Sequence, residues 1–181
     1  MRIVAGEWRG RKLVAPKGEA TRPTADRTRE TLFNMLTSRI GPFDGLTVAD
    51  LFAGSGALGL EALSRGARSS LFVEQDPAAV DAIRANIAAL GARERSEVRR
   101  GSVMELAPVQ APYDLMLLDP PYGTGAAGVA LDRLARLGWI GPATWIAAET
   151  GADEQLTVKG LATQVERKVG KARLWLLRAE G

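Results

Sequence analysis

The sequence predicts an α/β protein: a mostly parallel, doubly wound sheet with helices on both faces, an antiparallel C-terminal hairpin, and a small N-terminal hairpin and helix. Three observations carry that reading. From residue 47 onward, apolar runs of strand length alternate with segments of helical periodicity, the pattern of right-handed βαβ crossovers. A glycine-rich turn joins the first such run to the first helix after it. The last two runs are separated only by Gly170-Lys171, too short for a crossover, so they must pair antiparallel.

Along the chain, Arg2 to Ala5 and Lys12 to Ala15 flank a Gly6 to Gly10 turn and predict the small hairpin. Thr24 then caps a helix running to about Ser38, with Leu32, Met35 and Leu36 on its apolar face. Thr47 to Phe52 reads as a buried strand, and Ala57 to Arg65 as a helix stopped by Gly66. Ser69 to Glu74 is the second strand. Asp76-Pro77 supplies an N-cap with proline at the first helical position, and Val80, Ile83, Ile87 and Leu90 keep helical spacing up to Gly91. Glu97 to Arg100, Tyr113 to Leu118 and Thr144 to Glu149 follow as strands, with a helix centred on Val129 to Leu137 between the last two. Thr163 to Val169 and Ala172 to Leu177 form the closing hairpin. The chain thus divides into an N-terminal extension, residues 1–44, and a sheet domain, residues 45–181.

Composition narrows the chemistry. At 181 residues, 46% hydrophobic and 25% charged, the chain can bury one substantial core. It contains no Cys and no His, which removes disulfides, thiolate and imidazole metal sites, and any Cys or His nucleophile or general base. No metal is expected. No apolar run approaches the ~18 residues needed to span a membrane, and the N-terminus lacks a signal-peptide core, so a cytoplasmic protein is expected. The net charge of +3 is unevenly placed: residues 1–30 hold eight Lys or Arg against four acids, and the remainder is nearly balanced. Such an arm suits nucleic-acid phosphates.

Two motifs point to one pocket. Asp119-Pro120-Pro121-Tyr122 follows an apolar strand, and each proline holds the residue before it extended and donates no N–H. Free carbonyls, a carboxylate acceptor and a ring able to stack suit a planar base bearing an amino group. Upstream, Gly54, Gly56 and Gly59 satisfy GxGxxG, and Glu74 ends the next strand, placed to accept from ribose hydroxyls. A nicotinamide dinucleotide would use the same loop. Asp50, ahead of the glycines, favours S-adenosylmethionine, because it can meet an ammonium group and would repel a pyrophosphate.

The order Asp50-Leu51-Phe52-Ala53-Gly54-Ser55-Gly56, Glu74, Asp119-Pro120-Pro121-Tyr122 resembles the class I S-adenosylmethionine-dependent methyltransferases, whose Rossmann-like sheet matches the predicted fold. More narrowly, Trp8 to Leu13, Arg22 to Asn34 and Phe52 to Gly66 resemble the RsmD family, which methylates N2 of one guanine in 16S ribosomal RNA of the small subunit. The resemblance implies S-adenosylmethionine held by Asp50, Phe52, Ala53, Gly54, Ser55, Gly56, Glu74, Gln75, Ser102, Val103 and Asp119. Ser102 stands where many class I enzymes carry Asp or Asn. It implies catalysis by Asp119, Pro120 and Tyr122. It also implies an RNA-binding arm using Arg9, Arg11, Lys12, Arg22, Arg27 and Arg29, a ribosomal assembly particle as substrate, and a monomeric bacterial enzyme. The alternatives are adenine-N6 methylation of DNA or RNA, an NAD-dependent oxidoreductase, and an RNA-binding module on an inactive methyltransferase fold. A C5-pyrimidine methyltransferase is excluded by the missing Cys.

Overall fold

The computed structural model describes residues 1–18 and 23–181. Helix α1, Pro23–Ile40, precedes the sheet domain. The sheet domain runs β1 Thr47–Leu51, α2 Ala57–Ser64, β2 Ser69–Glu74, α3 Pro77–Leu90, β3 Ser96–Arg100, β4 Leu115–Leu118, α4 Ala126–Arg136, β5 Trp145–Gly151, β6 Leu161–Val169 and β7 Ala172–Ala179. The seven strands lie in the order β3-β2-β1-β4-β5-β7-β6. The first five are parallel, and β7 pairs antiparallel with both β5 and β6. This is the expected doubly wound sheet with an antiparallel edge.

Alternation along each buried strand sends side chains to two cores, as a sheet covered on both faces requires. Val48, Phe72, Leu115, Leu117 and Leu174 pack with α1, α2, α3 and the N-terminal residues Ile3, Trp8 and Leu13. Ala49, Leu71, Met116, Leu118 and Trp175 pack under α4 and Trp139. The caps follow the sequence. Asp76 accepts from the Ala78 N–H at 3.4 Å at the start of α3, and Gly91 ends that helix at φ 68. Thr24, the expected cap of α1, has a side chain outside the described residues; the helix begins at Pro23.

The N-terminal hairpin forms with less pairing than expected. Its arms meet at one bridge, Arg2 with Lys12, supported by the Ile3 N–H to Arg11 carbonyl bond at 2.9 Å. The ladder stops because a side chain has taken its donors. The Val4 and Ala5 N–H groups donate to Glu61 at 2.9 and 3.1 Å, and the Glu7 N–H to the Ser64 carbonyl at 2.8 Å. Glu61, fully buried on α2, also receives Arg29 Nε at 3.4 Å and Arg65 Nε at 3.0 Å. The extension therefore packs into the core of the sheet domain.

No helix among the described residues is long and apolar enough to cross a membrane.

Candidate active site

β1 and β4 are neighbours in the sheet but far apart in sequence, so the chain leaves their carboxyl ends toward opposite faces and a crevice opens there. A cavity of about 750 Å³ occupies this edge. It is lined by the turn after β1 (Phe52, Ala53, Gly54), the end of β2 (Val73 to Asp76, with Ala79) and the turn after β3 (Gly101, Ser102, Val103). Asp119 to Tyr122 after β4 and Glu149 on β5 close the other side.

The β1 turn is shaped by three consecutive requirements. Phe52 takes φ 58, a left-handed conformation uncommon for a non-glycine residue, and Gly54 takes φ 58 beside it. The Ala53 N–H donates to the Val73 carbonyl at 3.0 Å, fastening the turn to β2. Glu74 receives the Gly54 N–H at 2.8 Å on one oxygen and the Asp76 N–H at 2.9 Å on the other. Each oxygen keeps a lone pair for a ligand hydroxyl.

The three glycines have separate tasks. Gly54 lines the cavity, whereas Gly56 and Gly59 face protein. A Cβ on Gly59 would lie 2.5 Å from Phe72 Cε1, so this glycine lets α2 close onto β2. Ser55 is buried, its Oγ 3.5 Å from the Met1 sulfur and its carbonyl accepting from Asn86 Nδ2 at 2.9 Å.

The electrostatics of the cavity are one-sided. Four carboxylates line it, Glu74, Asp76, Asp119 and Glu149, with no Lys or Arg among the described lining residues. Asp50 lies fully buried near them, one oxygen accepting the Gly59 N–H at 2.9 Å and the other without a partner among the described residues. Burial pushes the Asp50 carboxyl well above the usual range, the Gly59 N–H opposes this, and the charge of Glu74 adds to it. Asp119 opens to the cavity on one side while protein crowds its carboxyl on the others. That desolvation, then the charges of Glu149 and Asp50, raise it well above the usual range as well. Glu149 is raised by burial and partly relieved by the Tyr122 hydroxyl, which donates to its Oε2. Burial and the same bond raise the Tyr122 phenol, so it stays protonated and donating.

An acidic cavity above a buried carboxylate with an unpartnered oxygen fits a ligand carrying sulfonium and ammonium charges. A pyrophosphate would meet the same carboxylates and find the Gly54 N–H committed to Glu74. The donor set therefore fits S-adenosylmethionine and disfavours a nicotinamide dinucleotide.

Of the residues expected from the sequence, Phe52, Ala53, Gly54, Glu74, Gln75, Ser102, Val103, Asp119, Pro120 and Tyr122 line the cavity, while Asp50, Ser55 and Gly56 stand behind its wall. Ser102 Oγ accepts the Met104 N–H at 3.1 Å as the cap of a short turn, leaving its hydroxyl proton available. In the arm, Arg9, Lys12 and Arg27 are exposed. Arg11 is exposed too, though one guanidinium nitrogen donates to the Ala89 carbonyl at 2.8 Å. Arg22 lies outside the described residues. Arg29 does not belong with the RNA-facing cations: it is 5% exposed and binds Glu61, Asp26 and the Arg2 carbonyl, so it holds the arm to the body.

Two residues that sequence reasoning passed over bear on the site, Glu149 in the cavity wall and Glu154 outside it. Glu149 anchors Tyr122, and Glu154, its carboxyl held below the usual range by the N–H groups of Gly123, Gly151 and Gly125, ties the loop after Tyr122 to the end of β5. A signal for Glu149 was present. Four of the five parallel strands carry an acid within two residues of their carboxyl end: Asp50, Glu74, Asp119 and Glu149.

The model of the family described as conserved hypothetical protein 95 matches residues 1–178. The chain belongs to this family, the RsmD family. Ribosomal RNA small subunit methyltransferase D of Escherichia coli K12 is 39% identical over 156 residues, 86% of this chain and 77% of that protein. The protein of the same name from Haemophilus influenzae is 40% identical over 160 residues, 86% of this chain and 81% of its own length. Among solved structures, the yhhF protein of Escherichia coli superposes with a TM-score of 0.85 at 35% identity, covering 100% of this chain and 98% of that one. The ribosomal protein L11 methylase of Lactobacillus delbrueckii shares the fold at a TM-score of 0.72 and 17% identity, over 92% of this chain and 84% of that one. The fold is that of the class I methyltransferases, and membership of the family implies use of S-adenosylmethionine.

Proposed function

We propose that this protein transfers a methyl group from S-adenosylmethionine to N2 of a specific guanine in 16S ribosomal RNA. The observation that carries the reading is the cavity at the β1/β4 crevice, acidic, without a lining cation among the described residues, and edged by Asp119-Pro120-Pro121-Tyr122. The names of the family relatives supply the substrate class.

Phe52, Ala53, Gly54, Gln75, Ser102 and Val103 would shape the cofactor side of the cavity, with Glu74 accepting from the ribose hydroxyls. Gly56, Ser55 and the buried carboxyl of Asp50 support that wall from behind. The cofactor supplies the activated methyl on a sulfonium, and the chain supplies position and field. Guanine N2 is a weak nucleophile because its lone pair is delocalised into the ring. The Asp119 carboxylate and the Pro120 carbonyl accept its two hydrogens, which localises the lone pair, while the Tyr122 ring supports the base. A paired base cannot enter, so the target is flipped out or already single-stranded. Arg9, Arg11, Lys12 and Arg27 would hold backbone phosphates of the RNA within a small-subunit assembly particle, with the protein acting as a cytoplasmic monomer. Residues 1–44 would then form the RNA-binding arm and residues 45–181 the catalytic domain.

The test is methyl transfer to small-subunit particles from cells lacking this protein, with mass mapping of the modified nucleosides. N2-methylguanosine at one position is expected. N6-methyladenosine, or no methylated nucleoside, overturns the reading.

A further inference from the structure

The geometry of β5 bears on which base the site accepts. In the β4–β5 register Leu118 pairs with Ala148, so Asp119 and Glu149 follow side by side at the same edge of the sheet. Both carboxylates line the cavity. Glu149 Oε2 is fixed by the Tyr122 hydroxyl, while Oε1 receives no hydrogen bond among the described residues. The ring that would carry the base is thus bolted to a carboxylate with one acceptor oxygen free.

Enzymes that act on a flipped base read its Watson–Crick edge. On guanine that edge runs from the O6 acceptor to the N1–H donor to the N2 amino group. With the N2 hydrogens on Asp119 and Pro120, the next donor is N1–H, and the next protein group beside Asp119 is Glu149. Adenine has an unprotonated ring nitrogen, N1, next to its amino group, and cytosine has N3 there. Either would set a lone pair against the carboxylate with no proton between them, an unpaired and repulsive contact.

We propose that Glu149 is the specificity-determining residue of this enzyme: its free oxygen accepts N1–H of the target guanine, and the same oxygen rejects bases with a bare ring nitrogen beside the amino group. The inference rests on the function proposed above. It assigns to Glu149 a contact with the substrate in addition to its bond to Tyr122.

The test uses particles reconstituted with RNA carrying either guanosine or 2-aminopurine riboside at the target position. The analogue keeps the 2-amino group, replaces N1–H by a lone pair and lacks O6, a loss common to the wild type and the variants. Single-turnover transfer by the wild-type protein is expected to favour guanosine strongly. In Glu149→Gln the side-chain amide can donate to a bare N1, so the guanosine to 2-aminopurine ratio should fall about 10²-fold or more. Tyr122→Phe removes the hydroxyl that anchors Glu149 but keeps its Oε1 acceptor, so it should slow both substrates and change the ratio far less than Glu149→Gln. An unchanged ratio in Glu149→Gln overturns the proposal, as does an equal change of ratio in Tyr122→Phe, which would place the effect in the ring's position. If the Gln variant fails to fold, Glu149→Ala takes its place, with a collapsed ratio expected and an unchanged one contradicting the assignment. Failure of the wild-type protein to methylate guanine N2 at all removes the function reading and this inference with it. Normal guanine methylation with an unaltered ratio in the variants removes this inference alone.

Discussion

Asp50, Asp119 and Glu149 are held near one another against their mutual repulsion, and that arrangement has opposite effects on stability and chemistry. All three carboxyls are raised, Asp50 and Glu149 chiefly by burial and Asp119, though it opens to the cavity, by desolvation from the protein around it and then by the charges of the other two. With folded pKa values above the unfolded ones, the native state binds more protons across the interval between them. Stability of the ligand-free protein is therefore greater below that interval and declines as pH rises through it. Asp119→Asn should remove part of the repulsion and raise the apoprotein melting temperature at pH 7, by about 2–4 °C for each kcal/mol relieved. Methyl transfer should fall in the same variant, because the amide oxygen still accepts a hydrogen bond but brings no negative charge to meet the positive charge developing on N2. Calorimetry beside a transfer assay checks both, and a lowered melting temperature would refute the account of strain. With Asp119 in the role proposed above, transfer is served by its ionised form, so kcat/KM should fall with acid at a pH above the ordinary carboxylate range; a profile flat down to pH 5 would contradict this. Asp119 to Tyr122 was legible in the sequence because four adjacent residues carry the whole geometry. Glu149 carried only the weaker signal of an acid near a strand end, because its place beside Asp119 follows from the register of two strands about thirty residues apart.

Helix α2 is the element on which the rest is assembled, and two of its residues show why. Glu61 is fully buried, yet it receives two backbone N–H groups from the N-terminal hairpin and one guanidinium each from Arg29 and Arg65. A small hairpin was expected from the sequence, and the flanking residues alone could not show that a carboxylate on a later helix would take the Val4 and Ala5 donors. Glu61→Ala would leave these donors and two cations without their acceptor. A loss of about 3–5 kcal/mol is expected, the range for breaking a buried charge pair, with Glu61→Gln retaining part of the stability. Denaturant unfolding of the two variants measures the difference; equal and small losses would mean that water replaces the carboxylate. Gly59 tests the other side of the helix. Alanine there should gain about 1 kcal/mol of helix propensity, but its Cβ would lie 2.5 Å from Phe72 Cε1 and 2.7 Å from Ser70 Oγ, both residues buried. Overpacking of this kind costs about 1–3 kcal/mol and should prevail, so Gly59→Ala is expected to be destabilising. The glycine spacing was readable in the sequence; that its third member serves packing became visible only with Phe72 in place.

The charge of the whole molecule is concentrated where RNA is expected to lie, but a count of cations overstates the surface available. Arg29 is buried and bound to Glu61, so it contributes to folding, while Arg9, Lys12 and Arg27 stand exposed. The arm that carries them is joined to the turn that lines the cavity. Asn86 holds the Val14 backbone through both its N–H and its carbonyl and donates to the carbonyl of Ser55, next to Gly54. RNA gripped by the arm would thus be fixed relative to the β1 turn through a short chain of hydrogen bonds. Because phosphate binding releases counterions, the logarithm of the RNA affinity should fall linearly with the logarithm of salt concentration, with a slope of about −0.7 for each phosphate neutralised on a single strand. Replacing Arg9, Lys12 and Arg27 together by Ala should weaken RNA binding and flatten that slope by about 0.7 for each phosphate left without its cation. S-adenosylmethionine affinity should stay unchanged, since none of the three lines the cavity. Arg29→Ala should behave differently, lowering the unfolding free energy while leaving the slope of the remaining folded protein near the wild-type value. Filter binding across a salt series, read beside thermal unfolding, separates the two. A slope as steep in the triple variant as in the wild type would move the RNA surface away from the arm, and a flattened slope in Arg29→Ala would return that buried guanidinium to the set of phosphate-binding cations.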